Sequence, residues 1–465
     1  MGLQDEGSLV AAAGHRHAAH LVYMGLLSLQ HRANAGVGLS TSDGTSIVQG
    51  VCGPGLVPDV LLDRTIDRMD GPLAVGRLTG APTVGLTGPH MVHVDEPVVR
   101  SWSGGRVAVA LAGRLTNGAA LRQNILGKSG VFAGSSDGEL VANLIAAEGG
   151  RTLVNRVVGV LHDLRGAFSM VVMTEDTMVL ARDPRGYRPL VMGCLGSAIV
   201  AASEDTALYD IGCTDVRNVA PGEVVVVERG GVMSLKPFLP RSPSASFADL
   251  AVLARDGASV EGRSAIQARL ALGAALARER PAPGAAVVVG LPEASAVAAG
   301  YAASLGRTLI PALRASLLAD HALPLTADID TRAFSASLRA AGVASSDVAL
   351  VVPALTTGVR VEHAVRALRL GGARRVHLRV ATPAMTHADP FGLAMPPPEA
   401  LAGVRLPNPE QLADGLGVDS AACLSLNGMR GAIDGWEDGW CDAAWSGEMP
   451  EPALDPGDQI SLFPS

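Results

Sequence analysis

The chain is 465 residues long, enough for two or three domains with buried cores. Hydrophobic residues make up 48% and aromatic residues only 3%, so the core must be aliphatic, rich in Ala, Val and Leu. A net charge of −8 without a long basic run removes the electrostatic footprint of a general nucleic-acid binder and of a polybasic membrane anchor.

No apolar run reaches the roughly 18 residues needed to span a bilayer. The start carries Asp5 and Glu6 before a short apolar run, Leu9 to Ala13, where a signal peptide needs a basic start and a longer apolar core. The expected location is therefore cytoplasmic. Cys52, Cys194, Cys213, Cys423 and Cys441 are odd in number, widely spaced and form no CxxC, so neither a disulfide framework nor a metal site is expected.

Helical periodicity runs over His20 to Arg32 and Glu139 to Glu148. Hairpin patterns follow, Phe168 to Leu180 turning at Glu175-Asp176 and Glu223 to Leu235 turning at Gly230-Gly231. The Pro/Ser cluster Pro240 to Ser246 reads as a linker. Beyond it, helices at Arg263 to Arg278, Glu293 to Leu305 and Val361 to Leu370 alternate with strands at Ala285 to Gly290, Val348 to Val352 and Val376 to Val380. That alternation is the signature of βαβ units and a parallel sheet.

Tyr23-Met24-Gly25-Leu26-Leu27-Ser28-Leu29-Gln30-His31-Arg32 resembles the first-helix run of the amidophosphoribosyltransferase family. Leu115-Thr116-Asn117, Ser136-Asp137-Gly138-Glu139, Val219-Ala220-Pro221-Gly222-Glu223 and, most specifically, Arg182-Asp183-Pro184-Arg185-Gly186-Tyr187-Arg188-Pro189-Leu190 agree in order. Pro292-Glu293, Gly358, Gly371-Gly372-Ala373 and Phe391-Gly392 continue the match. The resemblance implies an α+β N-terminal-nucleophile glutaminase-like sandwich over 1–240 and an α/β phosphoribosyltransferase-like domain with a parallel sheet over 247–445. In that family the first frees ammonia from glutamine and the second uses it to displace pyrophosphate. Residues 446–465, acidic and proline-rich, are expected to be disordered.

Aligning back from Leu29 puts the family's nucleophilic cysteine at Gly7. Thr79 stands where the arginine for the glutamine carboxylate is expected, and Leu111-Ala112-Gly113 where the oxyanion-hole asparagine is; Gly113 and Asp137 alone match. Deleting a covalent nucleophile costs on the order of a million-fold in turnover, and one oxyanion donor roughly a hundred- to a thousand-fold. Ser8 becomes an N-terminal nucleophile only if the chain is cut after Gly7, and the missing asparagine argues against that route.

In the second domain Val352 and Pro353 replace the acidic pair that holds the ribose, and Ala354 a serine. The family's loop Lys-Asn pair falls near Leu313 to Leu317, and no lysine follows Lys236; Lys128 is the only other one. Thr356, Thr357 and Gly358 suit a phosphate at a helix start and equally suit an N-cap with a turn. The ligands of the iron–sulfur cluster found in some relatives align with Ser246, Asp389, Cys441 and Ala444, so no cluster is expected.

The expectation is thus a non-catalytic homologue with a regulatory, scaffolding or partner-binding role. The alternatives are an enzyme repurposed to another reaction in the old cleft, with Arg77 and Arg114 as first suspects, and a working amidophosphoribosyltransferase of purine biosynthesis. Gln459-Ile460-Ser461-Leu462-Phe463 resembles the peptide that docks bacterial proteins on the DNA sliding clamp, through Gln459, Leu462 and Phe463. Expected partners are that clamp and further copies of the chain, with no direct nucleic-acid or membrane contact.

Overall fold

A computed structural model of the protein describes residues 3–48, 50–80, 94–126, 132–310 and 335–450. Its first body stacks two antiparallel sheets. One has six strands in the spatial order Gly231–Leu235, Val224–Glu228, Met178–Arg182, Gly166–Met173, Gly105–Leu115 and Val98–Trp102. The other has eight, with Gly7–Ala13 central between Ala198–Ala202 and Leu73–Thr79. Between the sheets Leu9, Ala11 and Val75 meet Ala108, Ala110, Val171 and Leu180. Alanine at so many facing positions lets the sheets pack without rings, as the aliphatic composition requires.

Helices cover the outer faces. The Ala18–Leu29 helix sets Val22, Leu26 and Leu29 against Val10, Leu39 and Leu78. On the other side the Asp137–Ala147 and Leu153–Asp163 helices lie on the six-stranded sheet, the first capped by Ser136, which accepts the Glu139 N–H at 3.2 Å. The Gly7–Ala13 strand is buried at every residue because both its faces are covered. That gives it a continuous small-and-apolar run in place of the alternation of a half-exposed strand.

The second body is a parallel sheet of five strands in the order Thr308–Ile310, Val287–Gly290, Asp347–Val352, Arg375–Val380 and Ser420–Cys423. The Ala265–Glu279 and Ser295–Leu305 helices pack on one face and Val359–Leu370 and Pro409–Leu416 on the other.

Boundaries differ from the sequence reading where caps decide them. The helix expected from Arg263 begins at Ala265 because Ser264 accepts the Gln267 N–H. The one expected from Glu293 begins at Ser295, after a 3₁₀ turn over Pro292–Ala294. The second hairpin turns at Arg229-Gly230, with Glu228 opposite Gly231.

Two joints were not anticipated. The presumed linker ends bound, its Ala245–Ser246 segment pairing in parallel with Trp440–Cys441 and its Ser244 N–H donating to Arg185 O at 2.8 Å. Residues Gln4–Asp5 leave the first body and pair with Leu393–Ala394 of the second. The expectation of disorder from 446 onward also needs correction. The Ala443–Ser446 helix ends at Gly447, and Glu448 pairs with Arg430 at 2.7 Å, so the first residues of that segment are docked. Gln459, Leu462 and Phe463, and the Leu313 to Leu317 stretch, lie outside the described residues. Among the described residues no helix is long and apolar enough to cross a membrane.

Candidate functional site

The position aligned with the nucleophile lies at the start of a central strand, Gly7 opposite Thr79 and Leu9 opposite Arg77. Residues 7, 9, 77 and 79 share one face, and there the Arg77 side chain lies directly over Gly7. A Cβ built on Gly7 would stand 2.6 Å from Arg77 Nη2 and 2.8 Å from its Cζ, so the guanidinium occupies the space a side chain at residue 7 would need.

The guanidinium is held from several sides. Arg77 Nε donates to Leu111 O at 2.7 Å and lies 3.2 Å from Glu96, and Nη1 donates to Thr79 Oγ1 at 3.0 Å. Glu96 is buried and also accepts the Leu111 and Gly138 N–H groups at 2.8 and 3.2 Å. Burial pushes its pKa up, against the pull of Arg77. Arg77 is therefore an internal cation, where a solvated surface residue was an open reading.

The remaining pocket residues are turned to local tasks. Asp137 accepts the Leu115 N–H at 2.7 Å, and burial raises its pKa. Gly113 has φ +117°, and a Cβ there would meet Ala167 O at 2.3 Å, so backbone geometry alone demands glycine. Arg114, half exposed, pairs with Glu6. Burial raises the Glu6 carboxyl to about 7 in spite of Arg114 and Arg77. Ser8 is fully buried, donating to Asp5 at 3.2 Å and accepting from Arg32.

Behind this pocket lies an ionic cluster shared by both bodies. Arg32 contacts Asp5 and Glu204, each at 3.0 Å, and Asp249. Arg188 reaches Asp5 at 2.5 Å and Asp249 at 3.0 Å. All five are buried. Burial alone would raise the carboxyls; Arg188 and Arg32 hold Asp5 below its ordinary range, and His31 with Arg32 does the same for Glu204.

Next to the cluster a cleft of about 640 Å³ opens between the bodies. Its second-body side carries the loop after the Asp347–Val352 strand together with Arg255, Asp256, Glu293 and Arg360. Gly358, φ +90°, is the N-cap of the Val359–Leu370 helix and makes no side-chain cap. A Cβ there would meet Leu416 Cδ2 at 2.6 Å, which together with the φ makes glycine the residue for this turn. The neighbouring Thr356 and Thr357 use their carbonyls, which accept from Ala402 N and Arg405 Nη2 at 2.8 and 2.9 Å. Their hydroxyls take no part in capping.

The four aligned cluster positions do converge in part. Ser246 pairs with Cys441 in the parallel bridge, and Asp389 lies near the Cys441 thiol. They do not fit a four-thiolate cluster. One donor is a thiol pushed up to about 12 by burial, one is a hydroxyl, one is a carboxylate accepting the Phe391 N–H at 2.7 Å, and one is alanine.

Residues 90–210 match a family model described as a glutamine amidotransferase domain. Amidophosphoribosyltransferase 2, chloroplastic, of Arabidopsis thaliana is 32% identical over 456 residues, 96% of this chain and 80% of the relative. The chain belongs to the amidophosphoribosyltransferase family. Amidophosphoribosyltransferase of Bacillus subtilis is 31% identical over 465 residues, covering 97% of this chain and 95% of the relative. A solved structure described as glutamine phosphoribosylpyrophosphate (PRPP) amidotransferase from B. subtilis complexed with ADP and GMP superposes with a TM-score of 0.83 at 28% identity, over 97% of this chain and 98% of that one. The expectation of a non-catalytic regulatory or scaffolding homologue is corrected by these likenesses: the amidophosphoribosyltransferases that match this chain from end to end are named for their enzymatic activity.

The structure gathers Gly7, Arg77, Thr79, Gly113, Asp137 and Arg114 in one region, and Thr356, Thr357 and Gly358 in another. Reading the sequence missed Glu96, Asp5, Arg32, Arg188, Glu204 and Asp249 as partners. Arg32 and Arg188 stood inside the two strongest matching runs, which was the available signal.

Proposed function

We propose that this member of the amidophosphoribosyltransferase family is an enzyme that works in the inter-domain cleft, transferring a phosphoribosyl group to a nitrogen nucleophile that arrives from solution, ammonia being the simplest, without glutamine hydrolysis. The observation that carries the reading is the contrast at the two places where the family's chemistry would sit. Over Gly7 the guanidinium of Arg77 fills the place a nucleophile's side chain would take, whereas the cleft at Thr356–Gly358 is open and lined by Arg255 and Arg360 with Asp256 and Glu293.

Phosphate would lie on the loop, where a twelve-residue helix starts and the two threonine hydroxyls are free of capping duty. Arg360, paired with Glu293 at 2.9 Å, and Arg255 flank that position. Val352 and Pro353 supply no carboxylate, so the acidic groups facing the sugar and pyrophosphate would be Asp256 and Glu293. In the reaction the nitrogen lone pair forms a bond to the anomeric carbon while the carbon–oxygen bond to pyrophosphate breaks. Pyrophosphate leaves with that electron pair, and the nitrogen releases a proton to solvent. No iron–sulfur cluster takes part in this reading.

Pyrophosphate release from PRPP, followed with ammonium and separately with glutamine, tests the proposal. Release with ammonium and none with glutamine is expected. Release with glutamine at a comparable rate, or none with ammonium, would overturn it.

A further inference from the structure

The two walls of the cleft differ. The second body brings Arg255 and Arg360 together with Asp256 and Glu293, while the first body brings the His31 imidazole and the amides Gln4, Gln30 and Asn34 set among Leu3, Leu27 and Leu56. These amides are half used. Gln4 Nε2 donates to Asn34 Oδ1 at 3.0 Å, and Gln30 Oε1 accepts the Val57 N–H at 3.1 Å. The Gln4–Asn34 pair leaves one free acceptor and one free donor whichever way the two amides are turned. Gln30 Nε2 adds a second donor. The wall therefore presents two unused amide NH2 groups and one unused amide oxygen, oriented by the other hydrogen bonds of these amides and framed by apolar side chains. Leu27 is 44% exposed there.

Ammonia uses none of this. It is close to water in size and needs roughly 30 Å³ of a cleft of about 640 Å³ that PRPP would share. Apolar surface with a few oriented neutral donors and acceptors is what a small planar ligand requires for recognition. Polar groups placed to pair with a substrate also discriminate against any acceptor that leaves them unpaired.

We infer that this first-body wall is the acceptor subsite of the transfer and that it takes a neutral nitrogen heterocycle of nucleobase size, whose ring nitrogen is the nucleophile. The step balances as before. The ring nitrogen bonds to the anomeric carbon, pyrophosphate departs with the electrons of the broken carbon–oxygen bond, and the ring N–H proton passes to solvent. The inference rests on the reading that phosphoribosyl transfer occurs in the cleft, and it specifies the acceptor.

The test uses the full chain with PRPP as donor and hypoxanthine, adenine, uracil or ammonium as acceptor, following pyrophosphate release in the wild type and in Gln30→Leu and Asn34→Leu. At least one heterocycle should reach half-maximal rate at a concentration at least about tenfold below that of ammonium. Each variant should lower the specificity ratio of heterocycle to ammonium about tenfold, the effect of one lost hydrogen bond. Turnover with ammonium and with no heterocycle would overturn the acceptor subsite while leaving the transferase reading intact. Equal loss with both acceptors would also overturn it, because that marks the amides as structural. No release with any acceptor would overturn the transferase reading and this inference with it.

Discussion

Around Gly7 the Arg77 guanidinium is held by Leu111, Thr79 and Glu96 and fills the space above the glycine. Around Thr356–Gly358 the opposite holds. Gly358 takes over the cap, the carbonyls of Thr356 and Thr357 are tied to Ala402 and Arg405, and the two hydroxyls are left over. Saturated polar groups mark a region whose job is to hold itself together, and unsaturated ones at an open cleft mark a region that holds something else. The two regions lie in one chain and share the Arg32 cluster, so the comparison can be strained from either end.

The largest effect should come from that shared cluster. Arg32→Ala leaves Asp5, Glu204 and Asp249 as buried carboxylates, with Arg188 in reach of Asp5 and Asp249 and only the His31 imidazole beside Glu204. A loss of about 3–5 kcal/mol is expected, read as a lowered denaturant midpoint. A loss under about 1 kcal/mol would mean that the cluster is not a joint.

Gly7→Cys comes next. The new side chain collides with a guanidinium that can swing away only by giving up its contacts with Leu111 O, Thr79 and Glu96, so about 1–3 kcal/mol of destabilisation is expected, with no gain of glutamine hydrolysis. Measurable glutaminase activity in that variant would show that the pocket is open after all.

At the cleft, Thr357→Val should leave the melting temperature within about 1 °C and raise the KM for PRPP about tenfold, the cost of roughly one hydrogen bond to a charged group. The reverse result, a lost melting temperature with KM unchanged, would restore the capping role for this residue.

A last effect, visible only as a slope of stability against pH, concerns Glu6. Burial raises its pKa from the ordinary 4.5 to about 7, so the folded chain keeps this proton at pH values where the unfolded chain has released it. Stability should therefore fall as pH rises from about 4.5 to about 7 and level off above. Glu6→Gln should remove that part of the slope, measured by denaturation across the window; an unchanged slope would assign it to other groups.

Much of the fold was legible because its signals are local. The hairpin over Gly166–Met173 and Met178–Arg182 was visible in its turn at Glu175-Asp176, and the βαβ order of the second body in the alternation of helices and short apolar strands. The Gln4–Asp5 strand was not, because its partner Leu393–Ala394 lies almost four hundred residues on and two residues carry no period. At the site, the absence of a nucleophile was plain from Gly7, but what replaced it was not. Arg77 became interpretable only when the register placed it diagonally across from Gly7, with Glu96 behind it. Asp5 read only as part of an acidic start and Asp249 drew no reading, because their burial is a property of the joint between the two bodies.

Four consecutive residues near the start of the chain face four different environments. Gln4 lines the cleft, Asp5 enters the ionic cluster, Glu6 meets Arg114, and Gly7 lies under Arg77. The backbone N–H groups of Asp5 and Glu6 donate to Arg32 O and Gly392 O, both at 2.9 Å, one in each body. A ligand that pulls on Gln4 therefore acts on a segment that cannot yield alone. Its amide protons should exchange with solvent only when both bodies separate, so their exchange rates report cleft occupancy from a position where no ligand binds.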